Sequence, residues 1–127
     1  MIEVVAALLS AGDRILICRR PEGKAQGGLW EFPGGKIEPG ETGAAALARE
    51  CREELDVALD VGEPLADVVQ DYPGKRIHLT LYAAHIAAGE PRGLEHSELR
   101  WVLARELGEF DWCPADAKLL EKLRGRI

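Results

Sequence analysis

The sequence has no CxxC pair, no histidine at zinc-finger spacing and only three cysteines, Cys18, Cys51 and Cys113. Isolated thiols in odd number argue against a disulfide scaffold or a structural zinc site, and predict buried, reduced side chains in a cytoplasmic protein. Long hydrophobic runs are also missing. The opening Ile2-Glu3-Val4-Val5-Ala6-Ala7-Leu8-Leu9 is too short to span a bilayer and lacks a basic flank, so it is expected to be a strand rather than a signal peptide or membrane anchor. No repeat, low-complexity tract or linker divides the chain, and one domain over residues 1–127 is expected. Positive charge is in deficit, with 16 Lys and Arg against 22 Asp and Glu. A net charge of −6 repels a polyphosphate backbone and argues against nucleic-acid polymers as partners. A small phosphorylated substrate stays open, provided divalent cations neutralise the site.

What is present reads as a mixed α/β order. Ile2–Leu9 is β-branched and apolar, a buried strand, and after the turn Ala11-Gly12-Asp13 the chain returns as Arg14–Arg19. Residues 20–29 are glycine-rich and polar, a loop. Gly43–Leu55 is the clearest helix, with Thr42 placed to cap it and an apolar stripe of Ala44, Leu47, Ala48, Cys51 and Leu55. Leu65–Tyr72 and Arg76–Ile86 form a hairpin around Pro73-Gly74. Leu99–Leu103 is a short strand, and Pro114–Arg124 a last helix with proline at its first position and Leu119, Leu120 and Leu123 on its apolar side.

Within the first helix Glu50, Glu53 and Glu54 stand at i, i+3 and i+4, which aims three carboxylates the same way beside the apolar stripe. Like charges at this spacing cost about 0.2–0.5 kcal/mol per pair, more where burial desolvates them. A solvated face braced by Arg49 and Arg52 would accommodate them; so would a hard cation such as Mg²⁺ or Mn²⁺, which removes the repulsion. The preceding segment favours the cation. Trp30-Glu31-Phe32-Pro33-Gly34-Gly35-Lys36-Ile37-Glu38-Pro39-Gly40-Glu41 holds three glycines and two prolines, a tight irregular loop able to approach a ligand closely and feeding straight into the acidic helix.

Gly35, Glu41, Arg49-Glu50 and Glu53-Glu54 match the diagnostic positions of the Nudix signature, and on these residues the chain resembles the Nudix hydrolases. Two positions depart from the pattern. Cys51 replaces a larger aliphatic residue, and Asp56 replaces the glycine after the helix, so a left-handed aspartate costing about 1–2 kcal/mol is expected there. The resemblance implies a single α/β/α sandwich domain with a mixed sheet. It implies Mg²⁺ or Mn²⁺ held by Glu53, Glu54, Glu50 and the Gly34 carbonyl. Glu95 is then a further ligand or base with Glu98 as its rival, Glu50 the candidate general base, and Arg49 a brace for Glu41 or a catalytic carboxylate.

Within the family the likeness is to MutT-type enzymes and bacterial CTP pyrophosphohydrolases, which implies hydrolysis of a nucleoside triphosphate to monophosphate and pyrophosphate, and a role in cleansing the nucleotide pool that protects DNA. Arg20 then reaches a phosphate or stays a surface arginine. Phe32 stacks on the base or fills the core. Asp116 reads the base or merely faces the helix dipole. Ionised, Asp116 only accepts, which suits the cytosine amino group or the N7–H of 8-oxoguanine; it repels guanine O6 unless protonated. Glu31 is a second acceptor or a salt-bridge partner of Lys36. Alternatives are a pyrophosphatase of a nucleoside diphosphate derivative such as ADP-ribose, and a non-catalytic nucleotide-binding module. A monomer or weak homodimer is expected.

Overall fold

A computed structural model describes residues 1–127. Seven strands and two helices follow one another as β1 (Ile2–Ala11), β2 (Arg14–Arg19), β3 (Trp30–Glu31), β4 (Gly34–Lys36), α1 (Gly43–Leu55), β5 (Ala58–Tyr72), β6 (Lys75–Ala88), β7 (Glu98–Leu103) and α2 (Pro114–Leu123), with a 3₁₀ helix at Ala104–Glu109. The sheet runs β3-β2-β1-β6-β5, with β4 added against β1 and β7 against β2. β1 and β6 are parallel; the other pairs are antiparallel.

Alternation along β1 builds two cores. Val5, Ala7 and Leu9 face α1, where they meet Leu16, Cys18, Leu47, Cys51 and Leu55. Ala6 and Leu8 face the other way, toward Ile15, Ile17, Leu81, Leu119 and Leu123 of the α2 side. This is the period-two rule of a strand buried on both faces, and the result is the expected α/β/α sandwich. All three thiols are buried and free, and burial pushes Cys51 and Cys113 up to about 12.

Several elements differ from the sequence-based expectation. β5 begins at Ala58 rather than Leu65, because the strand carries register shifts around Pro64 instead of ending there. As an edge strand it tolerates that proline. The segment expected as irregular loop contains β3 and β4; two- and three-residue strands leave no periodicity to read. On α1 the buried alanine is Ala46, and Ala44 is exposed. Thr42 caps α1 as expected, its hydroxyl accepting from the Ala45 N–H at 3.1 Å. Asp56 ends the helix in the left-handed region, φ 59° and ψ 42°, its N–H donating to the Arg52 carbonyl.

Candidate active site

β4 pairs with Val4–Ala6 of β1 in antiparallel register, which lays Gly34 and Gly35 across the N-terminal half of the sheet. A Cβ on Gly34 would collide with the Val5 carbonyl, and one on Gly35 with the Glu50 carboxylate. Both glycines therefore serve close approach: one to the sheet, one to the acidic helix. The Gly34 N–H donates to Glu54 Oε1 at 3.3 Å.

The three helix carboxylates do not share one environment. Glu54 is the most deeply placed, and desolvation, with Glu31, Glu50 and Glu95 adding negative charge, pushes it up to about 9. Glu50 is half-buried and is also raised, chiefly by desolvation, although Arg49 bonds to it at 3.0 Å. Glu53 is 53% exposed and pairs with Arg49 at 3.4 Å. Helical spacing puts them on one side, but packing of the β4 turn against that side buries one and leaves another in water.

Arg49 organises this surface. Its guanidinium grips Glu41 through Nε at 2.8 Å and Nη2 at 2.9 Å, a bidentate pairing, and also donates to the Lys36 carbonyl. The pairing holds the Glu41 carboxyl down at about 2. The one guanidinium thus reaches Glu41, Glu50 and Glu53 together.

Glu95 and Glu98 separate clearly. Glu98 is engaged by Arg100 at 2.6 Å and Arg19 at 3.8 Å. Glu95 instead adds its charge to those opposing ionisation of Glu50 and Glu54. Its loop is tied down by Leu94 N–H to the Glu54 carbonyl and by Ser97 N–H to the Arg19 carbonyl.

A cavity of about 250 Å³ opens beside this cluster. Gly34, Gly35 and Glu54 border it, as do Arg20, Glu31, Phe32, Cys113 and Asp116, with apolar walls from Val4, Ala6, Ile77 and Leu79. Phe32 is both a core and a cavity residue: 2% exposed, it packs on Trp112 with centroids 4.9 Å apart. Asp116 is buried, and its Oδ1 accepts the Phe32 N–H at 3.0 Å. Desolvation, reinforced by Glu31, nonetheless pushes its carboxyl up to about 8.

The raised Asp116 carboxyl favours the protonated form that the sequence left open, which donates as well as accepts. One expectation is corrected here. Glu31 does not pair with Lys36; Arg20 holds it at 3.3 Å and His96 at 2.9 Å. Arg20 thus has a carboxylate partner, with its Nε on the Ala25 carbonyl, while still lining the cavity. Four residues escape a local reading of the sequence: His96 on Glu31, Trp112 against Phe32, and Tyr72 and Lys75 on the cavity wall. Only the placement of His96 beside Glu95 hinted at its importance.

No three carboxylate, imidazole or thiolate groups converge at metal-coordinating distance, because Arg49 draws Glu50 and Glu53 to itself while Glu54 turns to Gly34. The donor chemistry nevertheless fits a hard divalent cation. Glu54 is a half-buried, desolvated carboxylate whose one hydrogen-bond partner is a backbone amide, and Gly35 leaves open the space that Glu50 enters.

A glycine-laid turn, an acidic helix face graded from desolvated Glu54 to exposed Glu53, and an adjoining cavity thus stand side by side. The NUDIX domain family matches residues 4–122. The chain is 42% identical over 121 residues to the CTP pyrophosphohydrolase of Escherichia coli, covering 95% of this chain and 90% of that protein. It is 35% identical to the 8-oxo-dGTP diphosphatase of Haemophilus influenzae, covering 97% and 91%. The crystal structure of the MutT Nudix hydrolase from Burkholderia pseudomallei superposes with a TM-score of 0.86 at 30% identity, covering 96% and 97%. This chain belongs to the Nudix family and is a hydrolase of that family. No helix is long and apolar enough to cross a membrane.

Proposed function

We propose that the protein is a Mg²⁺-dependent nucleoside triphosphate pyrophosphohydrolase that releases monophosphate and pyrophosphate from an 8-oxoguanine or cytosine nucleotide. The observation that carries this reading is one cavity lined both by Glu54 and Gly34 and by Phe32 and Asp116. Triphosphate and base can then be held at once, with the scissile linkage beside the acidic helix. The names of the Escherichia coli and Haemophilus influenzae relatives point to the same two bases.

Glu53, Glu54, Glu50, Glu95 and the Gly34 carbonyl are the groups proposed to hold the cation. When bound, the cation supplies positive charge against the phosphate oxygens and acidifies an attacking water. Glu50 is proposed as general base: its raised pKa suits proton acceptance, and the Arg49 hydrogen bond fixes its direction. Arg49 positions Glu41, Glu50 and Glu53, and Arg20 orients Glu31 at the cavity wall. In its protonated form Asp116 donates to guanine O6 or cytosine N3 and accepts from the N7–H of the oxidised purine or from the cytosine amino group. That removes the repulsion an ionised carboxylate would impose on O6. The chain is proposed to act as a monomer or weak homodimer in the cytoplasm.

Pyrophosphate release across a panel of unmodified, oxidised and methylated nucleoside triphosphates, with and without Mg²⁺, tests the proposal. We expect Mg²⁺-dependent turnover, with 8-oxo-dGTP or a cytidine triphosphate preferred. Faster cleavage of ADP-ribose than of every triphosphate would overturn it.

A further inference from the structure

The loop between β6 and β7 has an anchor that the proposed chemistry leaves unused. The His96 side chain is only 2% exposed although it sits in a polar loop, Gly93-Leu94-Glu95-His96-Ser97-Glu98. Its Nε2 lies 2.9 Å from Glu31 Oε2, and because an ionised carboxylate only accepts, Nε2 donates. Nδ1 is buried with no protein partner, so this one contact aims the ring. Glu31 lies on β3, lines the cavity and takes its second hydrogen bond from Arg20 at the end of β2. Arg20, Glu31 and His96 thus join β2, β3 and the β6–β7 loop in one chain of contacts.

The rest of the loop is tethered on either side of this anchor. Arg92 N–H donates to the Leu55 carbonyl and Leu94 N–H to the Glu54 carbonyl, fastening the first half to the end of α1. Ser97 N–H and its hydroxyl donate to the Arg19 carbonyl, fastening the second half to β2. Between the two attachments stands Glu95, adjacent to the buried histidine. Few of these contacts are apolar, and a short polar loop held by isolated hydrogen bonds opens easily. Burial of the His96 ring is the contact that links Glu95 to the cavity wall.

We propose that His96 is a positioning residue: docked on Glu31, it fixes the Glu95 loop against the acidic helix and ties that helix's carboxylates to the cavity wall. His96 touches neither substrate nor cation in this role; it acts through Glu31 and Glu95. The proposal rests on the functional reading above only for what Glu95 is held to do. The positioning itself is a property of the folded chain.

The test compares His96→Leu, His96→Asn and His96→Gln. Gln places an amide nitrogen about where Nε2 stands, Asn has a donor that falls short, and Leu has none. Backbone hydrogen exchange at Leu94 and Ser97 reports the loop, and Mn²⁺ titration by its paramagnetic resonance signal reports the cation end. In His96→Leu and His96→Asn both amides should exchange faster and Mn²⁺ affinity should fall roughly tenfold, the lower end of outer-shell effects at metal sites. The KM for a nucleoside triphosphate should rise with little change in kcat at saturating metal. His96→Gln should restore most of all three. Should His96→Leu fail to fold, the Gln and Asn pair decides, since both are polar and differ only in reach. Equal behaviour of those two, or wild-type exchange and Mn²⁺ binding in His96→Leu, overturns the proposal. A wild-type protein inactive on every triphosphate would remove the functional reading and leave the exchange result standing.

Discussion

At Asp116 the cost of removing a carboxyl group from water outweighs the help of one backbone N–H. The Phe32 amide favours the ionised form, yet burial and the nearby Glu31 carry the group to about 8. Below that pH the side chain donates as well as accepts; above it, only acceptance remains. At saturating Mg²⁺ we therefore expect KM for the preferred triphosphate to rise as pH passes through about 8. Asp116→Asn keeps a donor and an acceptor that do not titrate, so it should flatten this alkaline limb. Asp116→Ala should lower kcat/KM by roughly 10- to 100-fold, matching the ~1–3 kcal/mol cost of a lost buried hydrogen-bonding group. pH profiles of the three proteins check this, and an Asn variant that retained the limb would assign it elsewhere.

Among the elements, α1 was the most legible, because its signals are local. Thr42, the Leu47–Cys51–Leu55 stripe and the acidic face are all read at helical spacing; the cap and those three buried residues stand where expected, with Ala46 taking the buried place assigned to Ala44. Asp56 was legible for the same reason: a helix that must stop in the left-handed region leaves its mark at one position. Replacing Asp56 by Gly removes the ~1–2 kcal/mol left-handed penalty, offset by ~0.5–1 kcal/mol of added chain entropy and the loss of an exposed 3.5 Å ion pair with Arg92. A net gain of about 0.5–1 kcal/mol is expected in chemical denaturation, and a loss of stability would contradict this account of the helix end. β3, β4 and the partners of Glu31 were not legible. Their placement comes from contacts between residues far apart in sequence, such as Trp30 with Asp111 and Cys113 and Glu31 with His96. The edge strand β5 is a further case: Lys118, Lys122 and Arg126 donate to its Val69, Asp67 and Leu65 carbonyls, covering alternate acceptors that would otherwise be free for pairing. No pattern in the terminal helix announces that match.

For the whole molecule, two desolvated acids, buried Asp116 and half-buried Glu54, make stability depend on pH and on cation. Glu54 and Asp116 have folded pKa values of about 9 and about 8, far above their usual values of 4.5 and 3.8. Between those limits the folded state binds more protons at these two groups than the unfolded one, so their contribution to stability falls as pH rises from about 4 toward 9, whereas the stabilisation from Glu41, held at about 2, has the opposite sign and is lost only as pH falls below about 4.5. A cation bound at Glu54 stabilises the ionised carboxylate and should remove that residue's share of the decline, leaving the share of Asp116. The most direct test is Tm against pH from 6 to 9, with and without Mg²⁺, for the wild type and Glu54→Gln. At a hundredfold excess of Mg²⁺ over its Kd, about 2.7 kcal/mol of stabilisation is available, or roughly 10 °C for a chain of this size. The account predicts a Tm that falls with pH in the wild type without metal, is restored by Mg²⁺ most strongly near pH 9, and responds little to Mg²⁺ in Glu54→Gln. Superimposable wild-type curves with and without Mg²⁺ would contradict it.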